Sequence, residues 1–128
     1  MLAFTMYFEG EAEPSVSISE LENMHLADTL DYDCRFEMHV CGEILFSQDV
    51  SILELAQCFQ KWLKKPKKSL IYNTVEREEN PFIAFHKQKD GWKISSVWQK
   101  FECKEIFSFE DVENFVKGVV DYVVTDKK

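Results

Sequence analysis

Residues 51–66 are the most fully specified stretch of the chain, and they dictate what the rest must supply. Ser51-Ile52-Leu53-Glu54 has the capping-box pattern, a hydroxyl followed three residues on by a carboxylate, ahead of an apolar run. Ile52, Leu55, Ala56, Phe59, Trp62 and Leu63 then fall on one face at helical spacing. Lys61, Lys64 and Lys65 crowd the last turn, where cations offset the negative end of the helix dipole. Pro66 stops the helix, because the residue before a proline is pushed out of the helical region. A helix with one apolar stripe is marginal by itself in water and needs a surface to bury that stripe against.

Short alternating runs are expected to supply the surface. In residues 2–9, Leu2, Phe4, Met6 and Phe8 alternate with Ala3, Thr5, Tyr7 and Glu9, the pattern of a half-buried strand. In residues 34–41, Cys34, Phe36, Met38 and Val40 form one face and Arg35, Glu37, His39 and Cys41 the other. Gly42-Glu43 reads as a tight turn into a strand over 44–47, which makes a hairpin. Further strands are expected over 69–76, 81–87, 92–99 and 102–107, with turn signals at Asn80-Pro81 and Asp90-Gly91. Trp92, Ile94, Ser96 and Trp98 would share a face, most simply as sheet core.

Ser108 with Asp111 repeats the N-cap pattern, and Val112, Phe115, Val116, Val119 and Val123 form a second helical stripe ending near Thr125. Residues 10–33 are polar and acidic and read as a loop, in which Ser19-Glu20-Leu21-Glu22 opens one helical turn. The order β-ββ-α-ββββ-α predicts a single α+β domain over residues 1–128. Its mostly antiparallel sheet would have about six or seven strands, with the two amphipathic helices packed on one face.

The 128 residues are 45% apolar and include eleven Phe, four Tyr and three Trp, which excludes a disordered acidic tail. A chain of this size buries about two-thirds of its unfolded surface, so a core needs no metal or disulfide. The four cysteines (34, 41, 58 and 103) form no CxxC pair and are expected to be free thiols. The first residues carry no basic region, and no apolar run approaches the ~18 residues of a membrane span, so a cytoplasmic location is expected.

The chemical motifs are few. Glycines at 10, 42, 91 and 118 are too far apart for a phosphate-binding loop, and there is no GxSxG elbow. His39 and Cys41, two apart on the expected strand, would share a face and could hold zinc or pair a thiolate with an imidazole, with His86 or Cys103 completing the set. Such a pair arises easily by chance. It defines the alternative reading, a small-ligand or enzymatic domain with a pocket between sheet and helices using His39, Cys41 or His86. The acid spacings lack the regular ligands and sharp-turn glycine of a calcium loop. The lysines of residues 61–68 are explained by the helix terminus they surround. No catalytic residue, metal site or cofactor is expected on the leading reading.

That reading comes from the charge. The net charge is −8, which argues against a general nucleic-acid binder. Residues 1–60 hold twelve acids and one base, Arg35, net −11, whereas residues 61–128 hold eleven acids and fourteen bases, net +3. Such a distribution steers a basic partner in and speeds association. An inhibitor or toxin-immunity protein, which neutralises a basic enzyme, has this character. The expected contact zone is Glu11, Glu13, Glu20, Glu22, Asp28, Asp31 and Asp33. The expected partner is a basic protein, with no nucleic acid and no membrane, and a homodimer through exposed aromatics is a further arrangement.

Overall fold

The alternating run at the start of the chain forms β1 (Leu2–Tyr7), and the two arms of the expected hairpin form β2 (Asp33–Val40) and β3 (Glu43–Ser51). The computed structural model describes residues 2–8, 15–30, 33–66, 68–74 and 78–124. Between β1 and β2 lie two short helices, α1 (Ile18–Asn23) and α2 (Leu26–Thr29). The long helix α3 (Ile52–Lys64) follows β3 directly. Then come β4 (Leu70–Tyr72), β5 (Ile83–Gln88), β6 (Gly91–Ser95) and the second long helix, α4 (Phe109–Val123). Among these residues no helix is long and apolar enough to cross a membrane.

The α+β class is as expected, but the strands make two sheets rather than one of six or seven. Both are antiparallel and three-stranded, in the orders β1-β2-β3 and β4-β5-β6. A loop meets the β3 edge of the first sheet at one point, where the Lys100 N–H donates to the Leu45 carbonyl at 2.7 Å. The expected strand over 102–107 contributes one bridge, in which Phe107 and Trp92 exchange both backbone hydrogen bonds at 2.9 Å. β6 ends at Ser95, so Trp98 lies in the turn beyond it and does not share a strand with Trp92.

One register detail explains a break in alternation. Met38 faces Phe46, but the next residue, His39, faces Ile44, so Leu45 is an extra residue in β3. That bulge lets Leu45 and Phe46 both be buried although they are consecutive. In β5 and the residue before it, Phe82, Ile83, Ala84 and Phe85 are all fully buried. Both faces are covered over this stretch, which accounts for its unbroken apolar run, while Lys87 and Gln88 at the far end of the strand are exposed.

The helix stripes meet the sheets through aromatic rings. Phe4, Phe115, Phe85 and Phe59 form one line of contacts, with ring centres 5.7, 5.7 and 6.4 Å apart. Phe36, Phe46, Phe82 and Tyr72 form another, at 6.1, 5.5 and 5.7 Å. One hydrophobic cluster therefore runs through both sheets and both long helices. The expected stripe of α4 is buried at every position, from Val112 to Val123.

The caps are only partly as expected. Ser108 caps α4, its hydroxyl accepting from the Asp111 N–H at 3.1 Å. Ser51 sits at the N-cap of α3 but makes no side-chain cap; its hydroxyl donates to Asp33 at 3.1 Å. The capping box forms instead at α1, where the Ser17 hydroxyl accepts from the Glu20 N–H and the Glu20 carboxylate accepts from the Ser17 N–H, both at 3.0 Å.

Candidate functional site

The acids expected to form a contact zone fall into distinct settings. Glu20 is exposed on α1 but is engaged in the capping box just described. Glu22, two residues further along the chain, accepts from Gln60 Nε2 at 2.9 Å and pairs with Lys64 Nζ at 3.1 Å. The Gln60 hydrogen bond, and then Lys64, hold the Glu22 carboxyl below its usual range. Gln57 ties α1 down by donating to the carbonyls of Leu21 and Met24 at 2.9 and 2.8 Å. Asp28 is exposed in the single turn of α2. Asp33 is exposed at the start of β2, against Ser51. Glu11, Glu13 and Asp31 lie outside the described residues.

Glu22 thus faces the C-terminal turns of α3, while Asp33 faces its N-terminus. A helix of 13 residues is about 20 Å long, so the described part of the zone runs along the length of α3 rather than gathering at a point. Its Glu22 end is mixed in charge, because the lysines of α3 stand beside it. A cavity of about 280 Å³ opens there between α1 and α3, lined by Glu22, Met24, Gln60, Lys61 and Lys64 among others.

A second polar group covers the open face of the first sheet. Cross-strand pairing places Thr5 opposite Glu37, Glu37 opposite Ser47, and Arg35 opposite Asp49. Glu37 is the hub: it accepts from Tyr7 Oη at 3.4 Å and Ser47 Oγ at 3.2 Å, and lies 3.6 Å from His39 Nε2. His39 Nε2 is also 3.3 Å from Thr5 Oγ1. Arg35 donates to the Ser47 carbonyl at 3.2 Å and pairs with Asp49 at 3.3 Å. The alternation of 2–9 and 34–41 already assigned these side chains to the polar faces. The strand register that makes them one network was not visible there.

The histidines and cysteines do not assemble. His39 belongs to the open-face network. Cys41 has left the strand for the turn, in a left-handed conformation with φ 52°, so the two do not share a strand face. His86 lies on the second sheet, 2.9 Å from Ser95 Oγ. Cys103 is buried. Among the described residues no group of three or more His, Cys, Asp and Glu side chains is arranged to hold a metal ion. Burial, with Asp33 and Asp49 nearby, pushes the Cys34 thiol up to about 12. Burial is also the main cause that raises Cys58 to about 11, with Lys61 opposing it. Thiols held this high are protonated at neutral pH and are poor nucleophiles.

A third polar group is internal, and sequence reasoning missed it. Glu54, at the position of the expected capping box, is buried and accepts from Thr74 Oγ1 at 2.7 Å and from the Tyr72 hydroxyl. Burial, and then the Glu54 carboxylate, raise the Tyr72 hydroxyl well above its ordinary range, so it stays a donor. Asn80 holds Thr74 from both sides, accepting from its N–H at 3.0 Å and donating to its carbonyl at 3.2 Å. The group joins the first turn of α3 to the end of β4. A cavity of about 280 Å³ beside it is lined by Glu54, Cys58, Lys61 and Tyr72, among others. Two further cavities, between α1 and α3 and beside β1, are likewise lined by none of His39, Cys41 and His86.

The architecture is thus an α+β fold of two antiparallel three-stranded sheets on two long helices, with acids spread along one of those helices. The chain belongs to the family described as a domain of unknown function, DUF7878, whose profile matches residues 4–126. No curated protein and no solved structure matches it.

Proposed function

We propose that this is a non-enzymatic binding protein, of the inhibitor or toxin-immunity kind, which engages a basic protein through the acidic surface of its N-terminal half. The observation that carries the reading is the exposure of Glu20, Glu22, Asp28 and Asp33 in a half whose one base, Arg35, is itself paired with Asp49. A surface of this kind sets on-rate and partner choice more than raw affinity. The high thiols of Cys34 and Cys58 and the separation of His39, Cys41 and His86 favour binding over catalysis.

The test begins with capture of partners from source cells at low salt. The reading expects a basic protein whose association slows at least tenfold as ionic strength rises from about 0.01 M to 0.15 M, over which the screening length falls from about 30 to 8 Å. Asp28→Asn with Asp33→Asn should slow association further, with little change in dissociation. Capture of no basic protein, or an association rate indifferent to salt, overturns it.

A further inference from the structure

β1 is the outer strand of the first sheet, pairing with β2 on one side. Its outward N–H and C=O groups make no hydrogen bond to other described residues. Open edges are normally blunted by charge, proline, a bulge or a covering segment. Leu2–Tyr7 contains no charged residue, no proline and no glycine. The other edges are treated differently: β3 is met by Lys100, β6 by Phe107, and β4 is only three residues long.

A cavity of about 430 Å³ lies beside this edge, lined by Leu2, Ala3 and Phe4 of β1 and by Asp111, Asn114 and Phe115 of α4. Ala3 belongs to the open face and Leu2 and Phe4 to the core face, so a cavity touching all three runs along the strand edge. Leu2, Phe4 and the edge of the largely buried Phe115 give it an apolar lining, and Asp111 and Asn114 are its polar side chains. The backbone N–H of Asp111 is taken by Ser108, but its carboxylate has no partner among the described residues.

We propose that an extended segment of a basic partner adds to the sheet along β1, with one Lys or Arg side chain lying in the cavity and reaching the Asp111 carboxylate. The proposal rests on the basic-partner reading and names its docking element. Strand addition draws affinity from main-chain hydrogen bonds and specificity from the pocket for an alternate side chain. A long basic side chain suits this pocket, since its methylene stem can pack on the half-buried Leu2 and Phe4 while its cation meets Asp111 and the Asn114 amide oxygen. A second copy of the chain would offer Leu2–Tyr7, which has no cation for Asp111, and would bring together two molecules of net charge −8.

The probe is a labelled nine-residue peptide of alternating Thr and Val with Arg at its centre, beside versions with Leu or Glu there. Fluorescence anisotropy should show the Arg peptide binding at least tenfold tighter than the Glu peptide. Asp111→Asn, which keeps the capped N–H, should erase the preference for Arg over Leu. N-methylation of one alternate set of peptide amides should abolish binding and of the other set should not. Hydrogen exchange should slow at Leu2–Tyr7 when the peptide is bound. Equal affinity for Arg and Glu peptides, a preference that survives Asp111→Asn, or protection elsewhere overturns the proposal. So does a concentration-dependent dimer that protects the same amides, since β1 is then the site of a second copy. The two readings fail separately. Salt-sensitive capture of a basic protein that persists in Asp111→Asn removes the β1 site and leaves the acidic-surface reading standing. Peptide binding without any captured basic protein does the reverse.

Discussion

The two sheets share strand number and direction, yet they are finished differently. The second is more nearly closed: its central strand is buried on both faces over Ile83–Phe85, and Phe107 meets its β6 edge at Trp92. The first is closed only toward the helices. Its other face carries the Glu37 network, and its β1 edge is bare among the described residues. The hairpin glycines differ in the same way. Gly91 (φ +142°) is where the covering segment approaches, so a Cβ there would meet Ile106 Cγ2 at 2.6 Å and the Phe107 oxygen at 2.8 Å. Gly42 (φ +87°) has nothing within 4 Å. One sheet is built into the body of the protein, and the other presents backbone and side chains outward.

The largest effects compare the cores of the two sheets. Phe36 in the first sheet and Phe85 in the second are both fully buried. Replacing either by alanine should cost about 3–5 kcal/mol in denaturant unfolding. A much smaller loss for Phe36→Ala would mean that the first sheet is held less firmly than its packing implies.

The glycines come next. Gly91→Ala must displace a covering backbone as well as adopt an unfavourable φ, and should cost about 2–3 kcal/mol. Gly42→Ala bears only the strain of its φ, about 1 kcal/mol. Thermal unfolding of both variants measures the gap, and equal losses would remove the distinction between the two turns.

The serines before the long helices differ by a smaller margin. Ser108→Ala loses a cap and should cost about 1 kcal/mol. Ser51→Ala should also destabilise, but its loss should be coupled to Asp33→Ala by about 1 kcal/mol in a double-mutant cycle, because that carboxylate is its partner. Additive losses would restore Ser51 to a capping role.

The smallest effect is at Glu22. Its carboxyl is lowered in the folded protein, so its contribution is present above the ordinary carboxylate range and is lost as pH falls through the depressed value. Lys64→Met should lower stability at neutral and alkaline pH and flatten the fall below about pH 5, so that variant and parent converge in acid. An identical curve in the variant would show that Gln60, not Lys64, sets the shift.

The elements that could be read from residue order share one property: each is defined by a local period. The α3 and α4 stripes, the β1 alternation and the β2–β3 hairpin needed only near neighbours to declare their faces. The Ser108 cap is local too. What failed was non-local. Ser51 and Glu54 satisfy the capping-box pattern, but Asp33 and the Tyr72–Thr74 pair, 18 to 20 residues away, compete for their side chains and win. The sequence pattern of 102–107 suits a strand, yet only Phe107 finds a ladder partner. Of the acidic zone, residue order showed the excess of charge but not that Glu20 is committed to Ser17 or Glu22 to Lys64. The Asp111 cavity had no signal at all, since it joins residues more than a hundred positions apart.

Residue order by itself determined the α+β class, the two long helices and their buried faces, and a strongly acidic first half. Those follow from spacing and charge, which act within a few residues or sum over many. Only the tertiary structure decided that the strands divide into two sheets, which hydroxyls and carboxylates pair, and that β1, beside Asp111, is an edge with no further strand on it among the described residues. Those depend on which distant backbone reaches a given hydrogen-bonding group first, a competition that no local pattern encodes.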